Sequence, residues 1–446
     1  MVEDSLSAAF RQEWGNVQVS AFAPLLTDQM IIGACEALGH VWRSSPFPPP
    51  PAVRSQLFRA LHPDKSIANA VIHMSAEGSL AKEITASAWC QARSRLPREL
   101  LPRLVEQTAA QATAEFPCHW HDLEVYLVDG STVSMPDEPE LVEAFGYADG
   151  KHGPSRFPVG RMVCVLHAGA RVMTQYRLAP YKTSEVELFH EVLLQIPPGG
   201  LWVADRLFSG YPSLALSIRE GRHFVVRLHQ RRDGKALAKS GKRLAPDQWL
   251  VTLKLSDPMR KKYAHMNLPD TIQVRLIRHH YRDGKQGKTL WLLTDLVDTT
   301  AYPGEDIIQL YRERWGIETH YAYLKVTLEM SVLRSKTEAN IRMEVAAIVL
   351  AHNLIWHLIC QAARHAGGSP NRISFAAAVK TVLAFSWCLT TASPHKRASI
   401  YQQMLRKIGG QKNPERRGRR EPRLIKRDRR RYGALRVARA EAKYVA

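Results

Sequence analysis

The sequence predicts a mixed α/β fold flanked on both sides by helical regions. Apolar residues recur at helical spacing up to about residue 115, and helical periodicity returns after about residue 306. Between them, short runs rich in β-branched residues follow the order strand, strand, strand, helix, strand. A chain of 446 residues, 45% of them apolar, exceeds what one core organises and can fill two or three domains.

Residues 1–115 read as a small all-helical domain, with apolar spacing in Leu25–Trp42, Ala52–Leu61, Ile67–Met74 and Thr85–Arg95, broken by the proline run Pro46–Pro51. Ser79–Ile84 and Thr85–Arg95 resemble two short helices joined tightly. The second carries Trp89, Gln91, Arg93 and Arg95, side chains that suit a helix laid on DNA. Arg93 and Arg95 are therefore candidate DNA contacts, although a helical bundle with a solvated basic face accounts for them equally well.

Residues 116–330 hold the α/β unit. Leu123–Val128, Met162–Leu166 and Val172–Leu178 read as strands, Glu185–Ile196 as a helix and Leu201–Ala204 as a strand. A hairpin meander whose helix returns the chain to a parallel strand beside the first is the arrangement of RNase H-like nucleases. Residues 222–300 read as a β-rich insertion, with strands in Phe224–Leu228, Trp249–Leu255, Ile272–Ile277 and Leu290–Leu293. A long helix over about Asp306–Thr327 follows, then a helical C-terminal region, residues 331–405. The remainder, 406–446, is basic: Arg406 to Lys443 holds sixteen Lys and Arg against four Asp and Glu. Such a block reads as a disordered tail that binds polyanions through counterion release.

The formal net charge of +20 points to a polyanionic partner, with nucleic acid ahead of an anionic membrane. The six cysteines are scattered without zinc-site or disulfide spacing and read as reduced. The N-terminus lacks the order of a signal peptide, and the most apolar stretch, Ala346–Ala363, is interrupted by His352, Asn353 and His357, which suits a buried helix better than a membrane span. An intracellular protein, in the cytoplasm with its DNA, is expected. Cys118-His119-Trp120-His121-Asp122 has ligand-type residues but no second cluster at metal-finger spacing, and reads as structural.

Three carboxylates stand out. Leu123–Val128 runs into Asp129-Gly130 and Leu201–Ala204 into Asp205, so if the two strands are parallel neighbours both aspartates emerge at the carboxyl edge of the sheet. On a helix advancing about 100° per residue, Tyr311, Arg314, Glu318 and Lys325 fall within a stripe about 60° wide. Leu310, Ile317, Tyr321, Leu324 and Leu328 occupy the adjacent sector, which should pack on the sheet. The polar stripe is also what a solvated salt-bridge ladder looks like, Arg314 and Glu318 being four residues apart. Carboxylates on rigid elements are what two divalent ions about 4 Å apart need in order to drive an in-line phosphodiester displacement. Hard oxygen ligands favour Mg²⁺, with Mn²⁺ as a substitute.

Tyr311, Arg314, Glu318 and Lys325 reproduce a Tyr-x2-Arg-x3-Glu-x6-Lys spacing that resembles the signature of DDE-class bacterial insertion-sequence transposases of the IS-four family. Asp129-Gly130-Ser131-Thr132 looks like that family's first-aspartate segment, and Ala204-Asp205-Arg206-Leu207-Phe208-Ser209-Gly210-Tyr211 like its second. Ala86–Pro97 is similar to its N-terminal DNA-binding region, and the β insertion matches its architecture. The resemblance covers roughly residues 50–360.

The resemblance implies that Asp129, Asp205 and Glu318 are the catalytic, metal-binding triad, and that Tyr311, Arg314 and Lys325 contact phosphates near the cleavage site. Trp291, in the insertion, becomes a candidate for stacking on an unpaired base, though a strand-core tryptophan explains it more simply. The implied activity is binding of terminal inverted repeats, metal-dependent hydrolysis exposing 3′-hydroxyl ends, and strand transfer into target double-stranded DNA by a homodimer or higher multimer. A nuclease without strand transfer and an inactive DNA-binding relative are the rival readings.

Overall fold

A computed structural model of the chain describes residues 21–42, 47–76, 84–150, 153–283 and 286–414. Most of Ser79–Ile84, residues 151–152 and most of the basic tail lie outside them.

The N-terminal region is helical: α1 (Asp28–Ala37), α2 (Pro49–Leu61), α3 (Ile67–Ala76), α4 (Ala86–Arg95) and α5 (Leu100–Glu115). Thr27 and Thr85 cap α1 and α4 by accepting the backbone N–H groups of Met30 and Ala88. The proline run, read as a break, is in fact where α2 begins. The first turn of a helix has no intrahelical partners for its N–H groups, so prolines there sacrifice nothing. Helix α5, which the sequence reading did not single out, buries Leu100, Leu101, Leu104, Val105 and Ala112.

The sheet is built on β2 (Leu123–Ser134), which pairs antiparallel with β4 (Gly153–His167) and parallel with β6 (Leu201–Ala204). On β4 lie β3 (Tyr147–Gly150) and β5 (Met173–Pro180). Between β2 and β3 runs α6 (Pro139–Phe145), between β5 and β6 α7 (Glu185–Leu193), and after β6 α8 (Tyr211–Arg219). Strand β7 (His223–Arg227) is parallel to β6. The sequence pattern places it in the insertion, but it is a strand of the central sheet, where Phe224, Val225 and Val226 are buried.

The strands beyond it continue the same sheet: β8 (Lys242–Ala245), β9 (Gln248–Lys254), β10 (Thr271–Asp283) and β11 (Gln286–Thr294), in the order β7-β11-β10-β9-β8. Short helices α9 (Gly234–Ser240) and α10 (Asp257–Lys262) sit among them.

Two apolar layers sandwich the sheet. On one face Phe189, Trp202, Phe208 and Phe224 pack with α7 and α8. On the other, Val125, Leu127 and Val203 meet α11 (Gly304–Glu313), α12 (Trp315–Ala322) and α13 (Glu338–His365). Helices α14 (Phe375–Thr391) and α15 (Pro394–Gly410) pack on α13.

Helix α13 is long and apolar enough to cross a membrane by those two measures, and its most apolar window is 94% buried inside the protein. Its polar interruptions are each satisfied. Asn353 bonds both the N–H and the carbonyl of Met173 at 2.8 Å, His352 shares a 3.0 Å bond with His320, and His357 meets Glu115 at 2.6 Å.

Candidate active site

Asp129 does not end its strand. β2 continues to Ser134 because Gly130–Ser134 pair with Val159–Val163 of β4. What ends near Asp129 is the parallel pairing with β6, whose last partners are Leu127 and Val203, so Asp129 still lies just past the parallel edge. Gly130 is therefore not a turn. A Cβ there would stand 2.2 Å from Glu185 Oε2, so the glycine leaves room for a carboxylate laid directly on the backbone. Asp205 follows the end of β6 as expected, capping a 3₁₀ turn by accepting the N–H of Leu207 at 2.7 Å.

The third carboxylate comes from the helix that packs across this edge. Leu310, Ile317, Tyr321, Leu324 and Leu328 are all buried, as the wheel requires. Gly316 faces β2, with Leu127 Cδ1 3.4 Å from where its Cβ would stand. The helix is not uniform. It is interrupted at Arg314 between α11 and α12, and Tyr323–Thr327 form a π turn, a widening often found at functional sites. The π turn carries Lys325.

Electrostatics tie these elements together. Burial pushes Asp129 up to about 6; Asp205 and Glu318 add to the rise while the Gly130 N–H and Arg314 oppose it. Arg314, almost fully buried, makes a 3.0 Å ion pair with Glu318 and lies 4.7 Å over the ring of Trp315. Burial raises the Tyr311 phenol, which also feels Arg314, Arg227 and Asp205. Burial lowers Lys325, and Asp129 partly offsets this. The structure thus gathers Asp129, Asp205, Glu318, Tyr311, Arg314 and Lys325 at one sheet edge. Among the described residues no three Asp, Glu, His or Cys side chains are close enough to hold an ion as they stand, Glu318 being turned to Arg314.

The remaining candidates lie elsewhere. Trp291 packs on the α7/α8 face of the sheet, against Gly234 and beside Trp249, which fits the strand-core reading. Arg93 stacks its half-buried guanidinium 5.1 Å over Trp89, whereas Arg95 is exposed. Arg95, the more exposed of the pair, donates to Gln91 at 3.4 Å.

Two residues escaped the sequence reading. Glu185, at the start of α7, pairs with Arg161 at 3.0 Å, and its carboxyl is raised by burial and by Asp205. The Ser184 cap marks a helix start after the third strand, which is the signal that could have found it. Arg275, fully buried in β10, donates to Gln248 and to the carbonyls of Leu296 and Tyr302, fixing the approach to α11. Nothing in its strand pattern announces that clamp.

Residues 120–354 match the family described as Transposase DDE domain. The chain is 30% identical over 352 residues to the transposase InsG for insertion sequence element IS4 of Escherichia coli K12, covering 77% of each chain. InsZ of the same strain is 32% identical over 161 residues, 35% of this chain and 54% of that one. A solved structure of the piggyBac transposase synaptic complex with hairpin DNA aligns over 90% of this chain and 85% of its own, with 10% identity and a TM-score of 0.42. With the family match spanning more than half of its length and the InsG similarity most of it, the chain belongs to the DDE transposases of the insertion sequence IS4 family.

Proposed function

We propose that Asp129, Asp205 and Glu318 are the metal-binding carboxylates with which this transposase cuts the ends of its own element and joins them to target DNA. The observation that carries this is the convergence of three carboxylates from β2, β6 and α12 on one sheet edge, where Asp129 is pushed up to about 6. The strand order β5-β4-β2-β6-β7, three antiparallel strands followed by two parallel ones, supports an RNase H-like core.

The donors are all carboxylate oxygens, which suits hard divalent ions, Mg²⁺ first and Mn²⁺ as a substitute. When bound, a pair of such ions supplies an activated oxygen nucleophile and charge neutralisation at the leaving oxygen. The chain's own residues do the rest. Glu318 would hold an ion together with Asp129 and Asp205 only if its carboxylate left Arg314, its present partner at 3.0 Å, and the Arg314 guanidinium would then be available to a phosphate. Lys325, held near Asp129 by the π turn, is a second phosphate contact, and the Tyr311 hydroxyl a third. Ends cut in pairs call for a multimer on double-stranded DNA, with the α13–α15 region as the candidate contact.

The test is cleavage and joining of DNA carrying the terminal inverted repeats, using wild type and Glu318→Gln with Mg²⁺ or EDTA. Wild type should join ends only with metal. Glu318→Gln should bind the ends normally and cut at least about a thousandfold more slowly, because it removes a ligand charge and keeps the shape. Mg²⁺-dependent activity surviving in that variant refutes the triad.

A further inference from the structure

Helix α12 is fastened to strand β2 by one buried side-chain hydroxyl, and that hydroxyl ends on a residue of the triad. Tyr321 Oη donates to the backbone carbonyl of Asp129 at 2.7 Å. The ring is almost fully buried. Beside it lies Cys164, the cross-strand partner of Asp129, fully buried. Three elements, α12, β2 and β4, thus meet at one polar point directly behind the Asp129 carboxylate.

The position on the helix gives this contact its consequence. Tyr321 is one turn after Glu318 and two residues before the π turn that carries Lys325. Apolar packing fixes the depth at which a helix sits on a sheet, but packing is non-directional and permits sliding and rotation. A hydrogen bond of 2.7 Å to a strand backbone restricts both. Residues of α11 and α12 present a carboxylate and cations toward β2 and β6, so the register of that helix sets the spacing between Glu318 and Asp129.

We infer that Tyr321 is a positioning residue for the strand-cutting reaction: its hydroxyl fixes the helix bearing Glu318 against the backbone of Asp129 and so sets the distance between two triad carboxylates. This rests on the triad assignment. It acts on geometry, so its loss should weaken metal retention and turnover more than DNA affinity, since a misplacement of about 1 Å can cost about a hundredfold in rate.

The experiment uses the full-length protein as wild type, Tyr321→Phe, Tyr321→Leu and Glu318→Gln. Each is measured for melting temperature, Mn²⁺ binding by the EPR signal of free ion, and kcat and KM for cleavage of end DNA. Tyr321→Phe keeps the buried ring and should melt close to wild type, with unchanged KM, kcat reduced about tenfold or more, and Mn²⁺ half-saturation raised several-fold. Tyr321→Leu should show the same metal and kcat losses with a further drop in melting temperature from lost packing. Mn²⁺ half-saturation and kcat within twofold of wild type in Tyr321→Phe overturn the inference. So does a kcat loss that appears only in Tyr321→Leu and follows its melting temperature, since that is a packing effect. Failure of the underlying triad is recognised separately, by an active Glu318→Gln protein.

Discussion

Removing the charge of Asp129 should stabilise the metal-free protein while abolishing its chemistry. The carboxyl sits in a partly buried position with Asp205 and Glu318 nearby, and burial raises it from 3.8 to about 6. A carboxylate raised in the folded state has the opposite sign to the usual ion-paired one. Between pH 4 and 6 the folded chain holds a proton that the unfolded chain has released, so the folded state loses stability as pH rises through that window. Above pH 6 the full cost is in force. At about 1.4 kcal/mol per pH unit, a shift of about two units corresponds to about 3 kcal/mol.

Asp129→Asn removes that cost and can still accept the Gly130 N–H that the carboxylate now accepts at 2.9 Å. With an unfolding entropy of about 2 cal/mol/K per residue, 446 residues unfolding together give about 0.9 kcal/mol/K, so the variant should melt about 3 °C higher at pH 8 in EDTA. The gap should close as the pH falls to 4. Adding Mg²⁺ should raise the melting temperature of wild type and leave the variant unmoved, because the ion compensates a charge that only wild type carries. The assay is calorimetry of both proteins from pH 4 to 8, where titrations common to the two cancel in the difference. A variant that melts no higher than wild type at pH 8, or a gap independent of pH, refutes the argument.

Acid should destabilise the protein by a separate route. Burial pushes His190 and His352 from 6.5 down to about 4 and lowers His320 well below 6.5, so each is folded neutral. The unfolded chain takes up these protons below pH 6.5, and stability should fall by about 1.4 kcal/mol per pH unit for each of His190 and His352 between 6.5 and 4, with His320 acting in the same direction. A flat melting profile of the Asp129→Asn protein over that range would count against it. Arg275→Leu leaves Gln248 and the carbonyls of Leu296 and Tyr302 without their donor, which should cost at least about 2 kcal/mol in denaturant unfolding and loosen the start of α11. An unchanged unfolding midpoint would show that water replaces the guanidinium. Deleting the chain after Lys412 removes most of the basic tail and should lower both DNA affinity and the slope of log K against log salt in filter binding. An identical slope would mean that the tail makes no phosphate contact.

The amino-acid sequence by itself determined the order of elements, the face each turns inward, and which polar residues share a helical stripe, because these follow from periodicities of two and 3.6 residues. Leu201–Ala204 ending on Asp205 was legible at its true bounds, and Leu310, Ile317, Tyr321, Leu324 and Leu328 are buried as their spacing required. The spacing from Tyr311 to Lys325 was enough to carry the resemblance to a family. Only tertiary structure decided how far β2 runs past Asp129, since its last residues are held by β4, distant in sequence. The same holds for β7, whose apolar run is that of any buried strand until β6 is found parallel beside it. Trp89 and Arg93, four residues apart on α4, are neighbours that helical spacing alone brings together, and the structure stacks the guanidinium over the ring. The spacing gave Tyr321 a buried ring but not the partner of its hydroxyl: a carboxylate laid on Gly130, and a hydroxyl bonded to a carbonyl 192 residues away, are relations between elements that no local pattern encodes.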